Sequence, residues 1–187
     1  MAKAAHGLAD DMLTTVLLAA KCPKLVAPAM NTAMYENPIT QDNMAILRKY
    51  GFHIMDPANG HLACGDSGPG KMPEPEALLE EILYLLACDK DFAGKRVLVT
   101  AGPTQESIDP VRYITNHSTG KMGYALARAA AFRGAEVTLI SGPTALQPPT
   151  HTEFIPVTSA EEMHDAVLEQ VPNADFVFKA AAVADYT

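Results

Sequence analysis

The sequence contains no tryptophan, only three cysteines and no excess of basic residues. The scattered cysteines Cys22, Cys64 and Cys88 form neither a disulfide framework nor a C-x-x-C metal pair, which favours a reducing, cytoplasmic setting. A net charge of -8 argues against non-specific nucleic-acid binding, because phosphate backbones require a basic surface. A small anionic ligand remains compatible with this charge, since backbone N–H groups and one or two local cations can hold a phosphate.

Long hydrophobic runs are also missing. The longest early run, 12–20, is shorter than the ~20 residues that span a bilayer. Asp10 and Asp11 precede it, where a secretion signal would carry positive charge. The sequence therefore predicts no membrane segment. The apolar share of 48% is ordinary for a globular protein and is enough for a sizeable core.

The hydrophobic pattern predicts an α/β protein in two parts, 1–89 and 90–187, divided by the polar stretch 89–94. In the first part, 57–73 is rich in glycine and proline, which predicts a long irregular loop. The other elements predicted there are helices over 1–20, 40–50 and 75–86 and short strands over 24–27 and 52–55.

The second part is predicted to be a βαβαβ unit with a parallel sheet. Its strands are predicted over 96–100, 135–141 and 175–182, and its first helix over 121–133. The spacing Ser159-x-x-Glu162 predicts a capping box at the start of the second helix.

A connection of some twenty residues, 101–120, lies where a simple dinucleotide-binding fold has the tight turn G-x-G-x-x-G. The absence of that fingerprint weakens the interpretation as an NAD-binding protein. Ser118 or Thr119 can cap the helix that follows, and the amino terminus of that helix attracts anions. A capped helix after a long loop explains the same pattern without any ligand.

Three further segments place polar or reactive side chains beside predicted strands or on a loop. At the end of the last predicted strand, small alanines leave room for a base or a sugar, and Asp185 just beyond it can bond a ribose, although alone it also suits a turn. Asn31 follows the first strand and can donate and accept simultaneously, or cap a helix. Cys64 lies among glycines, where a thiol can be exposed and reactive, whereas Cys22 and Cys88 suit buried positions.

Together these segments resemble phosphopantothenoylcysteine decarboxylase fused to phosphopantothenate–cysteine ligase, over essentially the whole chain. The stretch 28–35 is similar to the family's P-x-M-N-x-x-M motif, with Tyr35 where tryptophan is common. Residues 63–72 look like its cysteine-bearing flap over the substrate. The ligase motifs follow in the family's order: Gly102-Pro103-Thr104, 109–112, 116–123 and 181–186.

The resemblance implies an α/β fold: part of a flavoprotein-type, Rossmann-like three-layer domain, followed by part of a second Rossmann-like, nucleotide-binding domain. It implies that the ligase uses CTP and Mg²⁺ to activate 4′-phosphopantothenate as an acyl-cytidylate, on which Asn116 acts before cysteine displaces CMP. The residues implied to line the CTP site are Lys179, Ala180, Ala181 and Asp185, with Lys121 and Arg112 as candidates for phosphate contact.

An FMN-dependent decarboxylase then converts phosphopantothenoylcysteine to 4′-phosphopantetheine. The resemblance implies Cys64 as proton donor, Asn31 as the ligand of the substrate carboxylate, and Met30 and Met34 beside the substrate. It also implies a homo-oligomer, a trimer or a dodecamer, and no metal site built by protein side chains.

The chain opens inside a predicted helix without a capping signal and stops just after a strand. We therefore expect both ends to be cut, with part of each active site outside this polypeptide. Two other classes remain as alternatives. One is a non-catalytic binding or interaction module of the same fold, and the other is an NAD(P)-dependent oxidoreductase.

Overall fold

The structure is a computed structural model that describes residues 1–61, 67–87 and 89–185. The chain divides into two compact units, Met1–Leu85 and Leu86–Thr187. Both units combine helices with parallel strands, which confirms the predicted α/β class. Across the described residues, no helix is long and apolar enough to cross a membrane.

In its described residues, the first unit contains a parallel pair of strands, an antiparallel ribbon and five helices. Its elements are α1 (Ala2–Ala5), α2 (Met12–Ala19), β1 (Lys24–Val26), α3 (Thr32–Tyr35), α4 (Pro38–Lys49), β2 (Phe52–Ile54), β3 (Ala58–His61), β4 (Ser67–Lys71) and α5 (Pro75–Leu86). Strands β1 and β2 pair in parallel, with Leu25 opposite His53. Helix α4 contributes the fully buried side chains Met44 and Leu47.

The single helix predicted over 1–20 is wrong, because two helices occupy this range. Gly7 has φ 67° after α1, and Asp11 starts a new helix by accepting from the Thr14 N–H at 2.8 Å. This hydrogen bond is the main reason that the pKa of Asp11 is lowered to about 2. The cap interrupts a run whose apolar periodicity alone looks continuous. Cys22, predicted to be buried, is exposed in the connection from α2 to β1.

The prediction of an irregular loop over 57–73 is also wrong in part. Strands β3 and β4 form an antiparallel ribbon, with Gly60 opposite Gly68 and an irregularity between Ala58 and Asn59. Glycine and proline are disfavoured in strands, so the composition of this segment predicted a loop. The ribbon forms through backbone pairing, which the composition does not indicate.

The second unit is built on a four-stranded parallel sheet in the order β10-β5-β8-β9. Its elements are β5 (Arg96–Ala101), β6 (Gln105–Ser107), β7 (Tyr113–Thr115), α6 (Lys121–Phe132), β8 (Glu136–Ser141), β9 (Thr152–Pro156), α7 (Ala160–Gln170), a 3₁₀ turn over Val171–Asn173 and β10 (Phe176–Lys179). The central strands β5 and β8 are almost entirely buried, and the alanine-rich face of α6 packs against them.

The sequence predicted three strands here, whereas the sheet has four. The additional strand, β9, lies at the edge of the sheet beside β8 and is mostly exposed, so it lacks a continuous apolar run. The connection 101–120 contains a second antiparallel ribbon, β6–β7, that was not predicted. The Ser159 hydroxyl accepts from the Glu162 N–H as predicted, but the Glu162 carboxylate bonds the N–H of Thr158, one residue before the cap.

Candidate functional sites at the carboxyl ends of the strands

The strand order places a topological switch point in the second unit. From β5 the chain moves outward to β8 and then β9, and it returns to the opposite side of β5 as β10. Ligands of open α/β sheets bind outside the carboxyl ends of the strands at such a point. The crevice between the ends of β5 and β10 is therefore the candidate ligand site of this unit.

The connections that follow β5 and β10 pair with each other at this point. Pro103 and Ala182 form a parallel bridge. The Ala182 N–H donates to the Gly102 carbonyl at 2.8 Å, and the Thr104 N–H donates to the Ala182 carbonyl at 3.3 Å. The two segments therefore hold a common register beyond the regular strands.

The residues predicted at the end of the last strand lie here, but β10 ends at Lys179 and not at 182 as predicted. Lys179 is the final, exposed residue of β10. The N–H groups of Ala180 and Ala181 donate to the carbonyl and hydroxyl of Thr100, at 3.1 and 3.4 Å. Asp185 is exposed at the end of the same segment. The carboxyl end of β10, at the switch point, thus holds or directly precedes all four of these residues: Lys179, Ala180, Ala181 and Asp185.

Gly120 is the N-cap residue of α6, so the prediction that Ser118 or Thr119 caps this helix is wrong. Gly120 has φ 74°, and a Cβ there would lie 2.8 Å from Thr144 Cγ2. The Ser118 hydroxyl instead accepts from the N–H of Gly120 itself, two residues further along, at 3.4 Å. Because glycine has no side chain to cap α6, first-turn N–H groups stay available for an anion, beside the exposed Lys121.

Asn116 is exposed and follows β7 directly. The hydroxyl of its neighbour Thr115 donates to the Thr104 carbonyl at 2.8 Å, which ties the β6–β7 ribbon to the connection after β5.

Arg112 lies in the turn of the β6–β7 ribbon. Its Nε donates to Asp109 Oδ2 at 2.6 Å, and its side chain is 72% exposed. The pKa of Asp109 is lowered, first by the Val111 N–H and then by the Arg112 side chain. The role of Arg112 at a phosphate remains a prediction.

In the first unit, Asn31 caps α3, because its Oδ1 accepts from the Ala33 N–H at 2.8 Å. The helix-cap interpretation of this residue is therefore correct, and a ligand role is additional to it. The Met30 N–H donates to the Gly70 carbonyl of β4 at 2.9 Å. Met34 is 60% exposed on α3.

Strand β4 also packs against α3. A Cβ at Gly68 would lie 3.0 Å from Thr32 Cγ2, so Gly68 packs closely against α3 and the Thr32 side chain would have to shift to admit a larger residue. Cys64 itself lies outside the described residues, in the connection between β3 and β4. Strand β4, which follows that connection, therefore packs beside the Asn31 motif.

Thr104 is a functional candidate that sequence reasoning quoted only as part of a motif. Its side chain is fully buried, and it links three segments by hydrogen bonds. The sequence feature that could have identified Thr104 is its position as a polar residue soon after a buried strand. In residues 1–61, 67–87 and 89–185, no group of three or more His, Cys, Asp or Glu side chains is arranged to hold a metal ion.

Two family models match this chain, one in each of its two compact units. Residues 1–87 match the flavoprotein family model, and residues 92–187 match the model of the DNA/pantothenate metabolism flavoprotein C-terminal domain. The Coenzyme A biosynthesis bifunctional protein CoaBC of Vibrio vulnificus (strain YJ016) is 52% identical over 100% of this chain. That of Bacillus subtilis (strain 168) is 52% identical over 99% of it.

The chain spans about half the length of these curated relatives, 46% in each case. A crystal structure of the C-terminal domain of a Coenzyme A biosynthesis bifunctional protein CoaBC superposes with a TM-score of 0.51 at 57% identity. It covers 52% of this chain and 50% of that one. The chain therefore belongs to the DNA/pantothenate metabolism flavoproteins, the family of the bifunctional phosphopantothenoylcysteine decarboxylase/phosphopantothenate–cysteine ligases of coenzyme A biosynthesis.

Proposed function

We propose that this protein acts in coenzyme A biosynthesis and carries parts of two active sites. Residues 90–187 belong to a CTP-dependent phosphopantothenate–cysteine ligase domain. Residues 1–89 belong to an FMN-dependent phosphopantothenoylcysteine decarboxylase domain. Family membership supports both assignments, since the relatives that match this chain are named as bifunctional coenzyme A biosynthesis proteins.

The switch point between β5 and β10 is the observation that carries the ligase proposal. The motif segments after β5 and β10 pair there, although they are some eighty residues apart. Small side chains at Ala180 and Ala181 leave space for a nucleoside, and Asp185 offers a carboxylate to its hydroxyl or amino groups. The amino terminus of α6 and Lys121 supply the donors that a triphosphate needs.

In the ligase reaction, Asn116 places an amide donor against the acyl-cytidylate carbonyl, where negative charge develops as cysteine attacks. Its position at the end of β7 supports this role, because the bond from Thr115 to Thr104 restrains the backbone there. Mg²⁺ is expected to reach the site on the triphosphate, since this ion is commonly held by substrate phosphates and one or two carboxylates.

The decarboxylase proposal rests on the motif 28–35 and the neighbouring ribbon. Asn31 binds the substrate carboxylate through its amide, with Met30 and Met34 beside the substrate, and Cys64 donates a proton to the reduced product. The contact of Gly68 with Thr32 supports a substrate site shared by the ribbon and α3. The stretch 28–35 follows the carboxyl end of β1, the edge at which doubly wound sheets bind FMN. Bound FMN supplies the electron sink for loss of carbon dioxide.

Titration with nucleotides tests the ligase domain. We expect CTP with Mg²⁺ to bind a protein of the full length of the curated relatives with measurable heat, and ATP with Mg²⁺ to bind far more weakly. Asp185→Ala should weaken CTP binding, whereas Asp165→Ala, an exposed carboxylate on α7, should leave it unchanged. Absence of heat with folded protein would favour the alternative of a non-catalytic module. Preferential binding of NAD(P) would favour an oxidoreductase.

The proton donor of the decarboxylase is tested by Cys64→Ser in a protein of the full length of the curated relatives. A serine hydroxyl is a much weaker acid than a thiol, so decarboxylation should stop after carbon dioxide release with an oxidised intermediate retained. Mass spectrometry of the bound product, beside Cys22→Ser as the control, measures this. A normal rate of 4′-phosphopantetheine formation would contradict the assignment.

The oligomeric state stays a prediction. A trimer or dodecamer is expected from the resemblance, and sedimentation analysis of the full-length protein is the appropriate measurement.

A further inference from the structure

Thr104 has an unusual position for a polar residue. It follows β5 by three residues, at the switch point, and its relative exposure is 0%. Its hydrogen bonds with Ala182, Ala184 and Thr115 all reach residues outside its own segment. Its N–H donates to the Ala182 carbonyl at 3.3 Å, and its hydroxyl and carbonyl both act as acceptors.

The two acceptors serve different parts of the proposed ligase site. The hydroxyl oxygen Oγ1 accepts from the Ala184 N–H at 2.8 Å, directly before Asp185. The carbonyl oxygen accepts from the Thr115 hydroxyl at 2.8 Å, directly before Asn116. Each bond therefore restrains the backbone one residue away from a proposed site residue.

We propose that Thr104 is a positioning residue that sets the Asp185 segment and the Asn116 segment relative to each other. Its hydroxyl holds the nucleotide side of the site, and its carbonyl holds the side that acts on the acyl-cytidylate. This inference rests on the proposed ligase function. A merely space-filling residue would not require the hydroxyl, since valine has nearly the same shape.

The two hydrogen bonds of Thr104, to the Ala184 N–H and to the Thr115 hydroxyl, can be removed separately. Thr104→Val removes the acceptor of the Ala184 N–H and keeps the volume, while Thr104→Ser keeps the acceptor. Thr115→Val removes the donor to the Thr104 carbonyl, while Thr115→Ser keeps it. Ligase kinetics with CTP, 4′-phosphopantothenate and cysteine are measured in a protein of the full length of the curated relatives. Hydrogen exchange at the Ala184 amide is measured in parallel.

For Thr104→Val we expect about a tenfold increase in KM for CTP, because a partly buried N–H loses its acceptor. The Ala184 amide should also exchange faster, and Thr104→Ser should restore both properties. For Thr115→Val we expect the KM for CTP to stay unchanged, while acyl-cytidylate accumulates because Asn116 loses its restraint. This division between the two variants is not expected from a general loss of stability.

The inference is overturned if the wild-type protein ligates normally and Thr104→Val keeps the wild-type KM for CTP. It is equally overturned if Thr104→Ser is as defective as Thr104→Val, since the methyl group rather than the hydroxyl would then matter. If the wild-type protein neither binds CTP nor ligates, the proposed function itself fails, and this outcome is distinct from the other two.

Discussion

Asn116→Asp is expected to stop amide formation while leaving activation by CTP intact. The amide of Asn116 is proposed to donate to the acyl-cytidylate carbonyl as charge develops on its oxygen. An aspartate would place a negative charge there and remove the donor. Loss of one such donor typically lowers kcat by about a hundredfold or more. Acyl-cytidylate and pyrophosphate should therefore form, and the intermediate should accumulate instead of reacting with cysteine.

The measurement is a chemical quench of the reaction followed by chromatography of the cytidine-containing species. Asn173→Asp is the matched control, because Asn173 is exposed in the turn before β10, at the amino-terminal end of that strand, whereas the candidate site lies at its carboxyl end. The control should ligate like the wild-type protein. An unchanged ligation rate for Asn116→Asp would count against its assignment.

Gly142→Ala is expected to destabilise the second unit strongly. Gly142 follows β8, and its N–H donates to the Ala101 carbonyl at 3.1 Å. A Cβ at this position would lie 1.7 Å from the Pro103 carbonyl oxygen, so the backbone of one connection must move. Forcing extra volume into such a site costs about 3 kcal/mol or more. For a unit of this size, the melting temperature should fall by roughly 12 °C or more.

Gly94→Ala separates steric collision from backbone strain. Gly94 has φ 73°, but nothing lies within 4 Å of a Cβ built there. Alanine in this left-handed conformation costs about 1–2 kcal/mol, without disturbing the switch point. The melting temperature of Gly142→Ala should therefore lie well below that of Gly94→Ala. Only Gly142→Ala should abolish CTP binding. Equal melting temperatures for the two variants would exclude the collision as the cause.

Elements with a strong local signal were predicted well. Strand β5 and strand β8 are short apolar runs because a strand covered on both faces needs apolar side chains at every position. Helix α6 repeats its small and apolar residues at helical spacing, since one face packs on those strands. In each case the information lies within a dozen neighbouring residues.

Elements held by distant backbone pairing were predicted poorly. Strands β3, β4, β6 and β7 form ribbons with little apolar alternation, and β9 is a mostly exposed edge strand. Asp11 divides a continuous apolar pattern into α1 and α2 by one capping interaction. Local composition does not record which distant backbone groups pair, so these elements appeared as loops or as one helix.

The sequence by itself determined the acidic charge, the α/β class and the order of motifs that indicates the family. Those properties depend on residue types and on their spacing along the chain. The tertiary structure decided that β10 returns beside β5 rather than beside β9, and hence where the switch point lies. It also decided that Thr104 reaches both the Asp185 and the Asn116 segments. These arrangements depend on hydrogen bonds between residues as far as eighty positions apart, which no local pattern encodes.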